Sequence, residues 1–455
     1  MTTEPARWLW TLVAVAAWLA LVAAVVWRER RARVLARQAS EALAGGADTV
    51  LVAFASQTGF AEELAWMTAR ALAVGGVGAR VLAFSDLDAA TLAGAGRALL
   101  IVSTTGEGDP PDAAARFVRQ AMARPAALDG LRFGVLALGD RSYDHFCGFG
   151  RAVEGWLRRS GAEPLFDTVE VDDGDAAAIR HWQHQLGLIA GVAAPDWSPP
   201  AYEAWRLVER VLLNPGSPGG EVWKLGFAPD GALPDWSAGD IVEIGVPNPE
   251  GDGAPAAREY SVASLPADGR IELVVRLMYR PDGTPGLASG WLTGASPLGG
   301  EIQMRLRANR SFHGPAPETP MILIGNGTGL AGLRAHLKAR AAAGTHGGAW
   351  LLFGERTRAS DALFDDELQA WRASGVLARL DRAFSRDAGD GRYVQALVAE
   401  QADTIRAWVE RGAAIYVCGS QDGMAPGVHA ALESALGAER VIELLEDGRY
   451  RRDVY

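Results

Sequence analysis

Residues 136–150 read LALGDRSYDHFCGFG. An apolar run, 133–138, gives way there to a loop that is both polar and aromatic. Aromatic rings on a loop at the carboxyl end of a buried strand are costly unless they stack on something. Two other stretches share the form. Ser56-Gln57-Thr58-Gly59 follows the apolar run 50–54, and Ser103-Thr104-Thr105-Gly106-Glu107-Gly108-Asp109 follows the run 99–102. Open α/β sheets bind ligands in the crevice outside the carboxyl ends of their strands. Three such loops around one crevice point to a flat, phosphate-bearing ligand.

Outward from that crevice, strand-like runs at 49–56, 79–85, 97–104, 132–139 and 164–171 alternate with helical patterns at 62–73, 112–122, 150–160 and 175–187. Strict alternation predicts an α/β unit with a parallel, doubly wound sheet, and five strands fit a flavodoxin-like order over 48–191. Ser56 to Gly59 run into a helix, where hydroxyls and backbone N–H groups form an anion site or Thr58 serves as an ordinary N-cap. Gly106 and Gly108 let backbone approach a ring. Tyr143 and Phe146 either stack on that ring or simply pack. Asp172 and Asp173 end the fifth strand beside the crevice, or form an exposed acidic turn.

The bulk numbers fit two or three ordered domains: 455 residues, 49% apolar and 22% charged. A net charge of −11 argues against nucleic-acid binding. Two distant cysteines, Cys147 and Cys418, give neither a disulfide framework nor metal-ligand spacing, so no metal is expected. Residues 8–27 are apolar apart from Thr11, with Trp8, Trp10 and Trp27 at the ends. A helix of that length spans a bilayer core. Arg28, Arg30, Arg31, Arg33 and Arg37 follow it, which places the rest of the chain on the cytoplasmic side of an inner membrane. A cleaved signal peptide would carry its basic cluster before the apolar run instead.

A Pro-rich junction starts at 192, with the linker proper expected at 192–201. From 202 to 315, six short runs (205–213, 221–227, 240–246, 259–263, 270–277 and 301–306) between Pro/Gly turns predict a small antiparallel barrel. Arg258, Tyr260 and Ser261 offer a phosphate cation, a ring and a hydroxyl, or are only cross-strand neighbours. Gly286-Leu287-Ala288-Ser289 reads as a helix start suited to a pyrophosphate. From 316 to 455, the run 321–324 ends in Gly325-Asn326-Gly327-Thr328-Gly329 before a helix, and further runs at 350–353, 376–381 and 414–417 predict a parallel nucleotide-binding unit. Such a turn binds a dinucleotide or is a plain connection. Ser385, Arg386 and Arg392 form a cation–hydroxyl cluster that suits a 2′-phosphate, or are solvated charge. Cys418 reads as a small buried residue, and Tyr455 as a frayed end.

The stretches SQTGFAEELA, STTGEGDPPD and LGDRSYDHFCGFG resemble the three FMN-binding segments of the diflavin reductases, the family of the sulfite reductase flavoprotein component and the NADPH–haemoprotein reductases. REYS with GLAS resembles the FAD motifs of ferredoxin–NADP reductase-like modules, and FSRD followed by Arg392-Tyr393-Val394-Gln395 resembles the NADP-selective stretch. The ending RRDVY is similar to that of the sulfite reductase flavoprotein branch.

The resemblance implies FMN held by Ser56, Gln57, Thr58, Gly59, Thr104, Thr105, Gly106, Gly108, Leu138, Gly139, Tyr143, Phe146 and Asp172. It implies FAD at Arg258, Tyr260, Ser261, Gly286, Ala288, Ser289 and a covering Tyr455. NADPH falls to Gly327, Thr328, Gly329, Ser385, Arg386, Arg392 and Tyr393. Ser261, Cys418, Asp453 and Tyr455 would assist hydride transfer. Two positions depart from the pattern: Phe60 where a small polar residue is usual, and Thr105 where haemoprotein reductases stack a Tyr. The junction also leaves almost no room for the family's large helical connecting domain.

The expected activity is an NADPH-dependent passage of electrons through FAD and FMN to an acceptor protein, a haem protein or a membrane electron carrier. Glu107, Asp109, Asp112, Asp140 and Asp144 rim the crevice and would steer a basic partner, or are plain acidic surface. The alternatives are a membrane-bound ferric-chelate or quinone reductase without a dedicated protein acceptor, and a non-catalytic anchored scaffold.

Overall fold

The computed structural model of the protein describes residues 49–141, 143–191, 201–247, 256–344 and 348–455, with Leu43 and Trp197 besides. The expected membrane helix at 8–27, its basic flank and most of the 192–201 linker lie outside the described residues. Among the described residues, no helix is long and apolar enough to cross a membrane.

The first unit is the expected parallel sheet. Its strands are β1 (Val50–Ala55), β2 (Ala79–Ala83), β3 (Arg97–Ser103), β4 (Arg132–Gly139), β5 (Glu163–Pro164) and β6 (Val169–Asp172), in the order β2-β1-β3-β4, with β5 and β6 both on β4. The fifth strand is split rather than continuous. The Phe166 ring between its two halves lies against Gly134 of β4, where a Cβ would stand 2.5 Å from it, and meets Trp182 edge-on at 5.6 Å. The missing side chain on β4 makes room for that ring, and the chain leaves the sheet to seat it. Trp156 and Trp182 are fully buried on helices that cover the sheet, and together with the β-branched and leucine side chains of the central strands they supply the apolar area that closes it.

The second unit is a six-stranded antiparallel sheet: β7 (Glu203–Leu212), β8 (Val222–Pro229), β9 (Ile241–Val246), β10 (Ala256–Ser261), β11 (Ile271–Arg276) and β12 (Glu301–Arg307), in the order β10-β9-β12-β7-β8-β11. The Ala263 N–H donates to the Glu272 carbonyl at 2.8 Å, which ties the β10 edge to the β11 edge and curls the sheet toward a barrel.

The third unit is parallel: β13 (Met321–Asn326), β14 (Ala349–Glu355), β15 (Leu377–Phe384), β16 (Ala414–Gly419) and β17 (Tyr450–Val454), in the order β15-β14-β13-β16-β17. The chain end is therefore an edge strand and not a frayed tail. In YRRDV the side chains of Tyr450 and Asp453 are buried while the two arginines between them are not, so alternation is weak and charge hides the strand.

Two crevices that face each other

The FMN-type crevice is built by strand ends. Gly59, at φ +85°, turns the chain out of β1 into the helix Phe60–Val74 and is itself the N-cap, so Thr58 is not. The Ser56 hydroxyl is buried with no partner, and so is that of Thr104. Two orphaned hydroxyls at adjacent strand ends, β1 and β3, are what a phosphate and a polar chain would satisfy. The Thr104 N–H donates to the Leu138 carbonyl at 2.8 Å, which joins the second loop to the strand below the third. Thr105 pairs across its own turn with Asp109, with Gly106 and Gly108 both at positive φ between them. The Gly139 carbonyl accepts from the Asp173 N–H at 2.9 Å, and the Arg141 N–H donates to the Asp172 carboxylate at 2.9 Å. Asp172 thus shapes the third loop from behind.

Tyr143 is half-buried beside the crevice, and its hydroxyl lies 3.3 Å from the Gln421 amide oxygen. Phe146 does not share its setting. It packs on the core beside Gly139, with the guanidinium groups of Arg141 and Arg151 4.9 and 5.9 Å from its ring centre. The Gln57 amide turns away as well, accepting from the Asp112 N–H at 3.2 Å and donating to the Arg452 carbonyl at 2.5 Å.

The second crevice is a cleft of about 860 Å³ between the barrel and the third unit. Tyr260, Ser261 and Ser289 line one wall, Gly327, Thr328, Ser385, Arg386 and Tyr393 the other, and Tyr455 lies across it. The Gly327–Gly329 turn packs directly on β16. A Cβ on Gly329 would collide with the Cys418 carbonyl, and Gly327 sits at φ +54°. The Ser289 hydroxyl accepts the Met278 N–H at 3.1 Å and sets the short helix Leu287–Gly290, with Ala288 buried beneath it. Register places Asp453 of β17 beside Cys418 of β16. The Ser261 hydroxyl donates to the Asp453 carboxylate at 2.7 Å, and the Cys418 thiol lies 3.7 Å from the same oxygen. Burial raises the Asp453 carboxyl to about 6, against the pull of those two donors.

The expected 2′-phosphate cluster divides. Ser385 and Arg386 line the cleft, held there by their N–H groups on the carbonyls of Glu355 and Arg356 at 2.9 and 2.7 Å. Arg392 points elsewhere, to Asp390 at 2.5 Å and Glu400 at 2.6 Å. Two further cations line the cleft, Arg276, paired with Glu355 at 2.5 Å, and Arg356, which the motif reading passed over. The signal for Arg356 was position alone: it follows β14 as Ser385 follows β15. Arg258 is exposed and is absent from the lining of this cleft; its guanidinium donates to the Ala257 carbonyl at 2.6 Å.

A family model described as "Flavodoxin" matches residues 52–182, and one described as "Oxidoreductase NAD-binding domain" matches 323–430. Each falls on one of the two crevices. The two matches in one chain support the diflavin reductase family. Similar proteins along nearly the whole chain are sulfite reductase [NADPH] flavoprotein alpha-components. That of Vibrio vulnificus is 27% identical over 92% of this chain and 90% of its own, and that of Klebsiella pneumoniae 28% over 96% and 95%. That of Neisseria meningitidis serogroup C is 28% identical over 90% and 89%. The alignments run over 554, 568 and 540 positions against 455 residues here, so the relatives carry segments that this chain lacks. The protein is an NADPH flavoprotein reductase, and its cofactors are FMN, FAD and NADPH.

Proposed function

We propose that the reductase delivers electrons from NADPH to a protein acceptor at the cytoplasmic face of a membrane, with residues 8–27 as its anchor. One observation carries the serial path. The Gln421 side chain reaches Tyr143 at the FMN crevice, while its backbone N–H holds the carbonyl of Tyr455, which lies across the dinucleotide cleft, at 3.0 Å. A single residue thus spans both crevices, close enough for electrons to pass within the chain. When bound, NADPH supplies the hydride and the two flavins convert it to single electrons. The protein's own groups do the rest. Gly327 and Gly329 admit the pyrophosphate, and Arg386 and Arg356 take the 2′-phosphate. Asp453, Ser261 and Cys418 supply the donors and acceptor beside the transferring hydride.

The acceptor is a basic redox protein, of haem or comparable type. Glu107, Asp109 and Asp144 are exposed on the rim of the FMN crevice, a field that steers a positive partner. Asp112 has been taken out of that rim by its pair with Arg452. The test is reconstitution: full-length protein in vesicles with a basic haem protein as acceptor, the reduction rate followed against ionic strength. A rate that falls steeply with salt supports the reading. A rate indifferent to salt, equal to that with a small ferric chelate, refutes it. Cell fractionation of the full chain beside a chain lacking residues 8–27 tests the anchor separately.

A further inference from the structure

Segment 305–311 leaves the barrel for the third unit, and it runs along the phosphate loop of the FMN crevice. The Ser311 hydroxyl donates to the Gln57 carbonyl. The Arg307 guanidinium donates to the Thr58 carbonyl at 3.1 Å and lies over the Phe60 ring, 5.5 Å from its centre. Gly59 comes so close that a Cβ there would stand 2.6 Å from the Ala308 carbonyl oxygen. On the first turn of the helix Phe60–Val74, Glu62 pairs with Arg310, and Glu63 with Arg305 at 2.9 Å.

A loop whose N–H groups converge on a phosphate must have its carbonyls held somewhere else. Here the carbonyls of Gln57 and Thr58 are held by the reductase module. The donor is preset: Arg307 is only 6% exposed and is fixed by Glu243 at 3.2 Å and by Glu259. The Ser56 hydroxyl, at the start of the loop, is left without a partner.

We propose that both modules hold FMN: Ser311 and Arg307 fix the phosphate loop in its binding conformation, so FMN affinity and the docking of the two modules form one coupled equilibrium. The coupling rests on FMN occupying the first crevice, and it is reciprocal by linkage. It accounts for Phe60. An aromatic ring gives up a phosphate hydroxyl and becomes the platform on which Arg307 rests.

The full-length protein is the test material. The FMN dissociation constant is read from flavin fluorescence, and FAD content together with the melting temperature reports the fold. Ser311→Ala combined with Arg307→Lys removes the supports and is expected to raise the FMN dissociation constant about tenfold with FAD retained. Glu62→Gln combined with Glu63→Gln is the sharper variant. It removes two negative charges beside the phosphate, which by charge alone tightens FMN binding. Coupled docking requires the opposite, a loosening of roughly threefold or more. If the Ser311/Arg307 variant keeps its FMN affinity within about twofold, or the Glu62/Glu63 variant tightens it, the coupling is overturned. If the unaltered chain binds FAD and no FMN, the assignment of the crevice fails before any substitution is made, and the coupling falls with it.

Discussion

The Ser261 hydroxyl and the Asp453 carboxylate, 192 residues apart in sequence, meet at 2.7 Å in a buried corner of the dinucleotide cleft. The carboxylate is 5% exposed, and burial lifts it to about 6. The unfolded chain loses this proton near the ordinary carboxyl value of 3.8, while the folded chain keeps it until about 6. The folded state therefore holds the extra proton between those values, and the contribution of Asp453 to stability falls as pH rises through that window and is gone above it. Asp453→Asn removes the buried charge at nearly constant shape. Its melting temperature is expected to equal or exceed that of the unaltered protein at pH 7.5, with the difference vanishing at pH 4. Reduction of FAD by NADPH, followed by stopped flow, should slow by at least about tenfold and lose its inflection near pH 6. A variant that melts earlier at pH 7.5 and keeps the inflection would remove Asp453 from the reaction.

Cofactor choice should follow the cleft wall rather than the motif. Arg386 and Arg356 line the cleft, whereas Arg392 is spent on Asp390 and Glu400. A charge-assisted hydrogen bond to phosphate is worth about 1.5–3 kcal/mol. Arg386→Ala should therefore raise the KM for NADPH roughly tenfold to a hundredfold and leave NADH little changed. Arg392→Ala should shift the NADPH value by less than about threefold. Steady-state KM values with both nucleotides decide it, and equal losses for NADPH and NADH in Arg386→Ala would count against the 2′-phosphate assignment.

These contrasts show what the sequence could carry. Strand–helix alternation and the glycine turns are local patterns, and the first sheet, its order and the Gly325–Gly329 turn were legible from them. The nearness of Asp453 to Cys418 was implied only by the family resemblance; no local pattern gives their register, because it depends on β17 pairing beside β16, and YRRDV looks like a charged tail. Which arginines line the cleft was also hidden. Arg392 fits a pattern, but nearby carboxylates compete for it more strongly than a distant cleft. Phe60 looked like a defect in a phosphate motif until its partner, 247 residues further on, was in view.

Both thiols should be inert in the folded protein. Cys147 is fully buried, its thiol donates to the Ala137 carbonyl at 3.3 Å, and burial pushes it up to about 12. Cys418 is fully buried against Asp453, whose charge also disfavours a thiolate. The thiolate is the reacting form. Iodoacetamide at pH 8 should therefore leave both unmodified by intact-mass measurement, and activity unaffected, until denaturant is added. Alkylation of Cys418 in the native state, with loss of NADPH oxidation, would mean that the cleft opens far enough to expose β16.

The end of the chain separates an anchor from a gate. The Tyr455 backbone is fixed at both sides, its N–H on the Gly419 carbonyl at 3.1 Å and its carbonyl on the Gln421 N–H at 3.0 Å. Its side chain is held less firmly: the residue is 52% exposed, and the hydroxyl meets Thr328 at 3.4 Å and interacts with Ser261. Rotating the ring away therefore costs its weak hydroxyl contacts, roughly 1–2 kcal/mol, plus whatever it stacks on when FAD is bound. A nicotinamide needs the same space on the flavin. Tyr455→Ala keeps both backbone bonds and removes only the ring, so binding energy otherwise taken from the 2′-phosphate is no longer required to displace it. The expected result is a selective gain for NADH, its kcat/KM rising about tenfold or more while that for NADPH changes little. Deleting residue 455 is a different experiment, because it also frees Gln421 and with it the contact to Tyr143. If the ring alone is the gate, deletion should add slower FMN reduction to the same gain with NADH; an unchanged preference in Tyr455→Ala would leave the ring as a lid with no part in nucleotide selection.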